Sequence, residues 1–347
     1  MQPYNGGNDP QRGGVYSTGH GFYNPYAEPE WKREKKRIRA AGNGIGLASV
    51  GYVAISFGAV LFLYAAIGVV NALRGGNFME VGENAQWVVT LITYILSLIV
   101  PFGIYALCIQ MPIGAAFPFR KMRGDITVGG IFVGLGAGIV ASYATSYLEQ
   151  ALGLFGIGIS MPEFEIPTAL SAKIIYIITM TVAPAFIEEM VFRGIVMQSL
   201  RRFGDMFALV SSALIFGIFH LNLIQTPYAF ILGLCIGYFV MRTGSLWVGV
   251  IMHFLNNSIA TVLTLAEPYC SEEMFLFINL AYSLAAVMCG IIALCLLLVK
   301  YRDMFRFGDA PGVLSSGKRA AYFLTSPALI IAMLTAVVLT AQYIEIL

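Results

Sequence analysis

Residues 169–200 read ALSAKIIYIITMTVAPAFIEEMVFRGIVMQSL, and this stretch decides the structural class of the protein. Its only charged side chains are Lys173, Glu188, Glu189 and Arg193. An α-helix rises about 1.5 Å per residue, so ~20 apolar residues cross the ~30 Å hydrocarbon layer of a bilayer. The stretch therefore predicts a membrane-spanning helix, and the cluster of three charges in its second half needs an explanation.

The rest of the chain has the same character. Of its 347 residues, 58% are hydrophobic and only 12% are charged, and the mean hydropathy is +0.77. Soluble domains are about a quarter charged, so this composition excludes an ordinary soluble enzyme. We predict an all-α, polytopic transmembrane helical bundle of eight to nine spans. The predicted spans are approximately 46–72, 87–110, 126–148, 169–200, 205–221, 226–242, 245–266, 273–300 and 321–344.

The distribution of basic residues predicts the orientation of the bundle. With nine spans and a cytoplasmic N-terminus, all but three of the 21 Lys and Arg residues fall in cytoplasmic segments. The exceptions are Arg74, Lys173 and Arg193. Basic residues concentrate on the cytoplasmic side of membrane proteins, so this bias favours an N-terminus inside the cell and a protein integral to the cell membrane.

The sequence predicts that the chain consists of a cytoplasmic tail and a transmembrane domain. Residues 1–40 form a polar and basic cytoplasmic tail, which is predicted to be disordered because its first thirty residues contain almost no aliphatic side chains. The basic run at 31–39 is interpreted as a membrane-surface anchor rather than a nucleic-acid site, because it adjoins an apolar helix. Residues 41–347 form the transmembrane helical domain. The lipid bilayer is thus the expected partner, and nucleic acid is not.

Ionisable side chains within a membrane are costly, so they are candidates for function. Here they occur in three predicted spans. Span four contains Glu188-Glu189 and Arg193, span five contains Phe216 and His220, and span seven contains His253 and Asn257.

The spacing suggests a task for most of these groups. Glu189 and Arg193 are four residues apart, so they can form an ion pair on one helix face. Glu188 is turned about 100° away and is expected to face a different cavity. His253 and Asn257 are also four residues apart, and their imidazole and amide can donate hydrogen bonds to one developing oxyanion.

Each group also has a plainer interpretation. The Glu189–Arg193 pair can act as a structural clamp, a lone histidine can be an interhelical hydrogen bonder, and Phe216 can simply pack. We favour structure for the ion pair and for Phe216, and chemistry for Glu188 and the two histidines.

The three motifs together resemble a known family. Glu188-Glu189-x-x-x-Arg193, Phe216-x-x-x-His220 and His253-x-x-x-Asn257 are similar to the motifs of the CAAX protease and bacteriocin-processing family of membrane proteases, which is related to the Ras-converting CAAX endopeptidase. The resemblance covers about residues 169–266. It implies an intramembrane endopeptidase that hydrolyses a peptide bond.

The resemblance also implies the role of each residue. Glu188 would be the general base that activates water, and His220 would help to position that water. His253 and Asn257 would stabilise the oxyanion. Glu189 and Arg193, together with Phe216, would support the site.

Metal dependence stays open from the sequence. Members of this family are commonly labelled metalloproteases, and Glu188, His220 and His253 could supply three zinc ligands. That arrangement would use the only evident general base as a ligand, and the chain lacks the HExxH zinc motif. We therefore favour a mechanism without a cofactor, with zinc as the alternative.

The substrate stays open too. A peptide or membrane protein, including one with a prenylated C-terminus, is the expected partner of a protease. Two rival functions remain: a non-catalytic membrane scaffold or bacteriocin-immunity protein, and a proton-coupled transporter in which Glu188 and the histidines relay protons.

Overall fold

The computed structural model describes residues 28–78, 80–160, 165–307 and 312–347 of the chain. These residues are mainly helical, as predicted. In chain order the helices are α1 (Glu30–Leu73), α2 (Glu83–Cys108), α3 (Ile113–Ala116), α4 (Gly124–Gly153), α5 (Leu170–Phe203), α6 (Asp205–Ile218), α7 (Gln225–Thr243), α8 (Leu246–Ala266), α9 (Glu272–Lys300), α10 (Ser316–Leu324) and α11 (Pro327–Ala341). Two short strands, β1 (Ile157–Ile159) and β2 (Ile344–Ile346), pair antiparallel.

The described residues contain seven to eight candidate spans, against the eight to nine predicted. Seven helices in the described part of the chain are long and apolar enough to cross a membrane: α1, α2, α4, α5, α7, α8 and α9. An eighth span results if α10 and α11, which are bent by 68° at their junction, count as one. The transmembrane class is therefore confirmed, whereas nine spans and a cytoplasmic N-terminus stay predictions.

The tail also differs from the prediction where it is described. Residues 1–27 lie outside the described residues. The basic run at 31–39 is helical, because α1 begins at Glu30 and continues without a break into the first apolar stretch. The predicted boundary at residue 40 therefore falls inside a helix rather than at the end of a disordered tail.

Helix α6 corresponds to the fifth predicted span, 205–221. It has 14 residues, so it rises only about 21 Å, less than the ~30 Å hydrocarbon layer. The loop that follows is partly buried. Asn222 is fully buried there, and its side-chain oxygen accepts hydrogen bonds from the backbone N–H groups of Ile224 (2.9 Å) and Gln225 (3.2 Å). Irregular backbone at membrane depth is tolerated when protein groups satisfy it in this way.

Helix α5 is irregular around its charged residues. Two segments, Ile178–Val182 and Glu189–Val196, are π-helical, and they flank an α-helical turn that ends at Glu188. Pro184 has no N–H, so it cannot donate to the carbonyl of Met180 four residues earlier, and the regular hydrogen-bond ladder is interrupted there. π-Helical turns widen a helix locally and are frequent at functional sites.

Packing places the charged part of α5 inside the bundle. Phe192 and Val196 of α5 are buried with Phe216 of α6, Ile236 of α7 and Met252 of α8 in one core cluster. Outside this core, large apolar side chains are exposed along the surface-facing helices, which suits contact with lipid. On α1, for example, Leu61 and Phe62 are each 72% exposed.

Helices α1 and α11 approach each other closely at a glycine. A Cβ atom at Gly46 would lie 2.6 Å from the carbonyl oxygen of Ala328. Next to this contact, the Asn43 side chain accepts a hydrogen bond from the Ala328 N–H at 3.1 Å. Small residues at helix–helix contacts of membrane proteins allow such close approach of two backbones.

We predict that Gly46→Ala lowers the unfolding temperature, because overpacking at a tight contact costs about 1–3 kcal/mol. Gly58→Ala is the matched control, since a Cβ atom on Gly58 of the same helix meets nothing within 4 Å. The control should be neutral or stabilised by up to ~1 kcal/mol. Thermal unfolding in detergent compares the two variants, and equal unfolding temperatures would contradict the inferred contact.

Candidate active site

A buried charge cluster joins α5 to α8. The carboxylate oxygen Oε1 of Glu189 accepts hydrogen bonds from the Arg193 guanidinium at 2.7 Å and from Nδ1 of His253 at 2.9 Å. The three side chains are almost completely buried. The structure thus places the predicted Glu189–Arg193 pair in contact and adds His253 to it.

Arg193 is held from two further sides. Its guanidinium lies over the ring of Phe216 at 4.1 Å from the centroid, and its second terminal nitrogen donates to the Gly233 carbonyl at 3.4 Å. A cation over an aromatic face is attracted by the ring's negative quadrupole. Phe216 therefore packs, as expected, and also contacts the charge cluster.

Glu188 lies beside the same imidazole, not in a separate cavity. Its Oε2 is 3.7 Å from Nε2 of His253, so the histidine ring lies between the two adjacent carboxylates. The expectation of a different cavity considered α5 alone, and α8 packs across the faces of both residues. Glu188 is 14% exposed. Its Oε2 is buried and has no hydrogen-bond partner among the described residues.

The second oxygen of Glu188 has a partner that the motifs do not include. The hydroxyl of Tyr94, on α2, donates to Oε1 of Glu188 at 2.6 Å. The available sequence signal was weak: Thr93 and Tyr94 are polar residues in the middle of an apolar run. Nothing in their spacing connects them to a helix that begins far along the chain.

His220 lies just beyond the end of α6. Its Nδ1 is 3.0 Å from the carbonyl oxygen of Phe216, and a carbonyl can only accept, so Nδ1 carries the hydrogen. In a neutral ring, Nε2 is then left as an acceptor. The next residue, Leu221, has a φ of 50°, a conformation that is uncommon for leucine and often marks a constrained functional loop.

Asn257 contacts the backbone of α5. Its amide nitrogen donates to the Met180 carbonyl at 3.2 Å, which is the carbonyl that Pro184 cannot serve. Its side-chain oxygen accepts from Asn256 at 3.2 Å. Asn257 therefore helps to fix the irregular segment that precedes Glu188, and its second amide hydrogen remains available.

The structure thus connects most of the residues selected from the sequence. Direct contacts link Glu188, Glu189, Arg193, His253 and Phe216, and the ring of His220 packs on Phe216 with centroids 5.0 Å apart. Asn257 lies one turn beyond His253 on α8 and reaches a different part of α5.

A zinc site would have to be built from the same side chains. Within the described ranges, no three His, Cys, Asp or Glu residues form a group that could hold a metal ion. Nδ1 of each histidine is engaged, with Phe216 in one case and Glu189 in the other, which leaves Nε2 of each ring as the nitrogen that could serve as a ligand. The described side chains as placed therefore do not form the three-ligand set of the zinc alternative.

Comparison with known proteins supports the resemblance. Residues 170–259 match the family described as type II CAAX prenyl endopeptidase Rce1-like. This part of the chain, which includes the whole of the cluster except Tyr94, is thus similar to the CAAX protease family. Comparisons with curated proteins and with solved structures give no match.

We predict that Glu189→Gln lowers stability strongly, because it leaves the buried Arg193 charge without its partner, and breaking a buried pair costs about 3–5 kcal/mol. The matched control is Asp205→Asn. Asp205 pairs with Arg201 at the same spacing of four residues, but both side chains are more than a third exposed, and such pairs contribute less than ~1 kcal/mol. Denaturation in detergent measures both variants. Similar losses in the two would contradict the inferred weight of the buried pair.

Proposed function

We propose that this protein is an intramembrane endopeptidase of the CAAX-protease type, in which Glu188 activates the attacking water. The match of residues 170–259 to the Rce1-like family supports the reaction class. The observation that carries the mechanism is the difference in hydrogen bonding between the two carboxylate oxygens of Glu188. One of its oxygens is held by Tyr94, while the other is buried, free of hydrogen-bond partners in the described chain, and directed towards His253.

Water activation follows from the two acceptors at the site. In the proposed mechanism, a water molecule donates one hydrogen to Oε2 of Glu188 and the other to Nε2 of His220, whose Nδ1 is occupied by the Phe216 carbonyl. Glu188 then takes the first proton as the water oxygen bonds to the carbonyl carbon of the peptide. When the C–N bond breaks, the same carboxyl group returns the proton to the leaving amine. This is the usual cycle of a general base that becomes a general acid.

Oxyanion stabilisation is assigned to α8. Glu189 accepts from Nδ1 of His253, so Nε2 carries a hydrogen towards the site when the ring is an imidazolium. In that state the formal charges of Glu188, Glu189, Arg193 and His253 cancel, as a low-dielectric site requires. The second amide hydrogen of Asn257 is the other proposed donor. Preorganised donors of this kind stabilise the charge that develops in the transition state.

The proposed setting is the cell membrane, with the N-terminus in the cytoplasm. The proposed partners are peptides or membrane-protein segments, and peptides with a prenylated C-terminus are the first class to test. The rival functions predict different behaviour. A scaffold or immunity protein, and likewise a transporter, would not cleave any peptide in a manner that depends on Glu188.

We predict that Glu188→Gln reduces peptide cleavage at least ~100-fold, because general-base catalysis contributes about 10²–10⁴-fold. Glu272→Gln, at the exposed start of α9, is the control and should cleave as wild type does. The assay uses liposomes and a quenched fluorescent peptide library that includes farnesylated C-termini. It is run with and without a chelator.

The outcomes of this assay separate the hypotheses. Cleavage that needs Glu188 and survives chelation would support the proposed mechanism. Cleavage lost on chelation would favour the zinc alternative, in which Glu188, His220 and His253 are ligands. No cleavage that depends on Glu188 would overturn the proposed function and favour a non-catalytic role.

We further predict that His253→Gln and Asn257→Ala lower kcat more than they raise KM, because loss of an oxyanion donor typically costs about 10²–10³-fold in kcat. Purified variants with unfolding temperatures near that of wild type are compared under saturating substrate. A change confined to KM would contradict the assignment, because it would indicate equal binding of substrate and transition state.

A further inference from the structure

We infer that Tyr94 is a positioning residue for Glu188, so that α2 completes a site whose other members lie on α5, α6 and α8. The inference rests on the proposed function for its catalytic consequence. It rests on the geometry alone for the contact itself. Tyr94 lies outside residues 170–259, the part of the chain that matches the CAAX protease family.

The contact is short and directional. The Tyr94 hydroxyl donates to Oε1 of Glu188 at 2.6 Å. Hydrogen bonds from a hydroxyl to an ionised carboxylate are short and about twice as strong as neutral ones, and burial strengthens them further. A phenol has one hydrogen to donate, and here it is directed at one carboxylate oxygen only.

This bond settles which oxygen of Glu188 is available. Fixing a glutamate side chain costs conformational entropy, so an unsupported carboxylate would sample several orientations. With Oε1 held by α2, Oε2 is directed to within 3.7 Å of His253. The oxygen proposed to accept the proton is therefore the one that Tyr94 does not engage.

The packing of α2 makes this support rigid. Helices α2 and α5 run parallel and touch at intervals along their length. At one end, Glu83 accepts hydrogen bonds from the backbone N–H groups of Thr168 (3.1 Å) and Ala169 (3.0 Å) at the start of α5. At the other end, the Tyr105 hydroxyl bonds to Ser199 at 3.2 Å. Tyr94 lies between these contacts.

A second aromatic contact lies in the same stretch of α2. The rings of Trp87 and Tyr176 pack edge to face with centroids 4.8 Å apart. Along α2, contacts to α5 thus occur in the order Glu83, Trp87, Tyr94 and Tyr105, and their partners follow the same order along α5. The register of the two helices brings the Tyr94 hydroxyl to Glu188, and no loop is needed to place it.

The first test is kinetic. Tyr94→Phe removes only the hydroxyl, and we expect kcat to fall ~10–100-fold with little change in KM, as for loss of a hydrogen bond to a charged group in the machinery. Tyr105→Phe is the matched control, because it removes a buried hydroxyl from the same helix pair and leaves Glu188 untouched. It should keep the wild-type kcat. Equal kcat values for the two variants would overturn the inference.

The second test does not depend on activity. A double-mutant cycle on unfolding temperature combines Tyr94→Phe with Glu188→Ala. If Tyr94 holds Glu188, loss of the hydroxyl lowers the unfolding temperature in the wild-type background and has little effect when Glu188 is absent. Additive effects of the two substitutions would overturn the inference.

The two tests separate this inference from the proposed function. If the wild-type protein cleaves no peptide, the proposed function fails, and the cycle alone decides whether Tyr94 fixes Glu188. If the cycle shows coupling and Tyr94→Phe still cleaves at the wild-type rate, the contact exists but does not position the base, and the inference is wrong.

Discussion

The site depends on the ion pair between Glu189 and Arg193, whose side chains are both almost completely buried. A lone carboxylate in a medium of low dielectric constant would be too costly to keep ionised, so it needs a cation and hydrogen-bond donors around it. Arg193 supplies the charge, and Phe216 and the Gly233 carbonyl hold Arg193 in turn. With this pair in place, Glu189 can orient His253, and the imidazole can face Glu188.

The same constraint explains the irregular backbone around the site. A membrane interior offers no water to satisfy a carbonyl or an N–H that leaves the helical ladder. Pro184 interrupts the ladder of α5, and Asn257 donates to the carbonyl left without its usual partner. In the loop beyond His220, the Asn222 side-chain oxygen accepts hydrogen bonds from the backbone N–H groups of Ile224 and Gln225. Polar side chains near the site therefore stabilise the backbone as well as provide groups for chemistry, and one residue can do both.

Features that depend on neighbouring residues of one helix could be predicted from the sequence. Hydropathy identified the membrane class, and the four-residue spacing identified the Glu189–Arg193 contact. The prediction that Glu188 faces a different cavity was wrong. It was based on the geometry of α5 alone, whereas His253 approaches Glu188 from α8. The apolar run at 205–221 predicted a span, but its hydropathy does not reveal that helix α6 ends after 14 residues. Tyr94 could not be found, since its relation to Glu188 depends on how α2 packs against α5.

The role of α2 also bears on how such sites are built. The segment that matches the CAAX protease family supplies the charged and histidine groups, yet Glu188 would be held within that segment only by its long contact to His253. The shortest hydrogen bond to its carboxylate comes from α2. Because α2 contacts α5 at several points, from Glu83 at one end to Tyr105 at the other, the loss of one peripheral contact leaves the Tyr94 hydroxyl opposite the carboxylate. The precision of the proposed base is thus a property of the α2–α5 packing rather than of the motif alone.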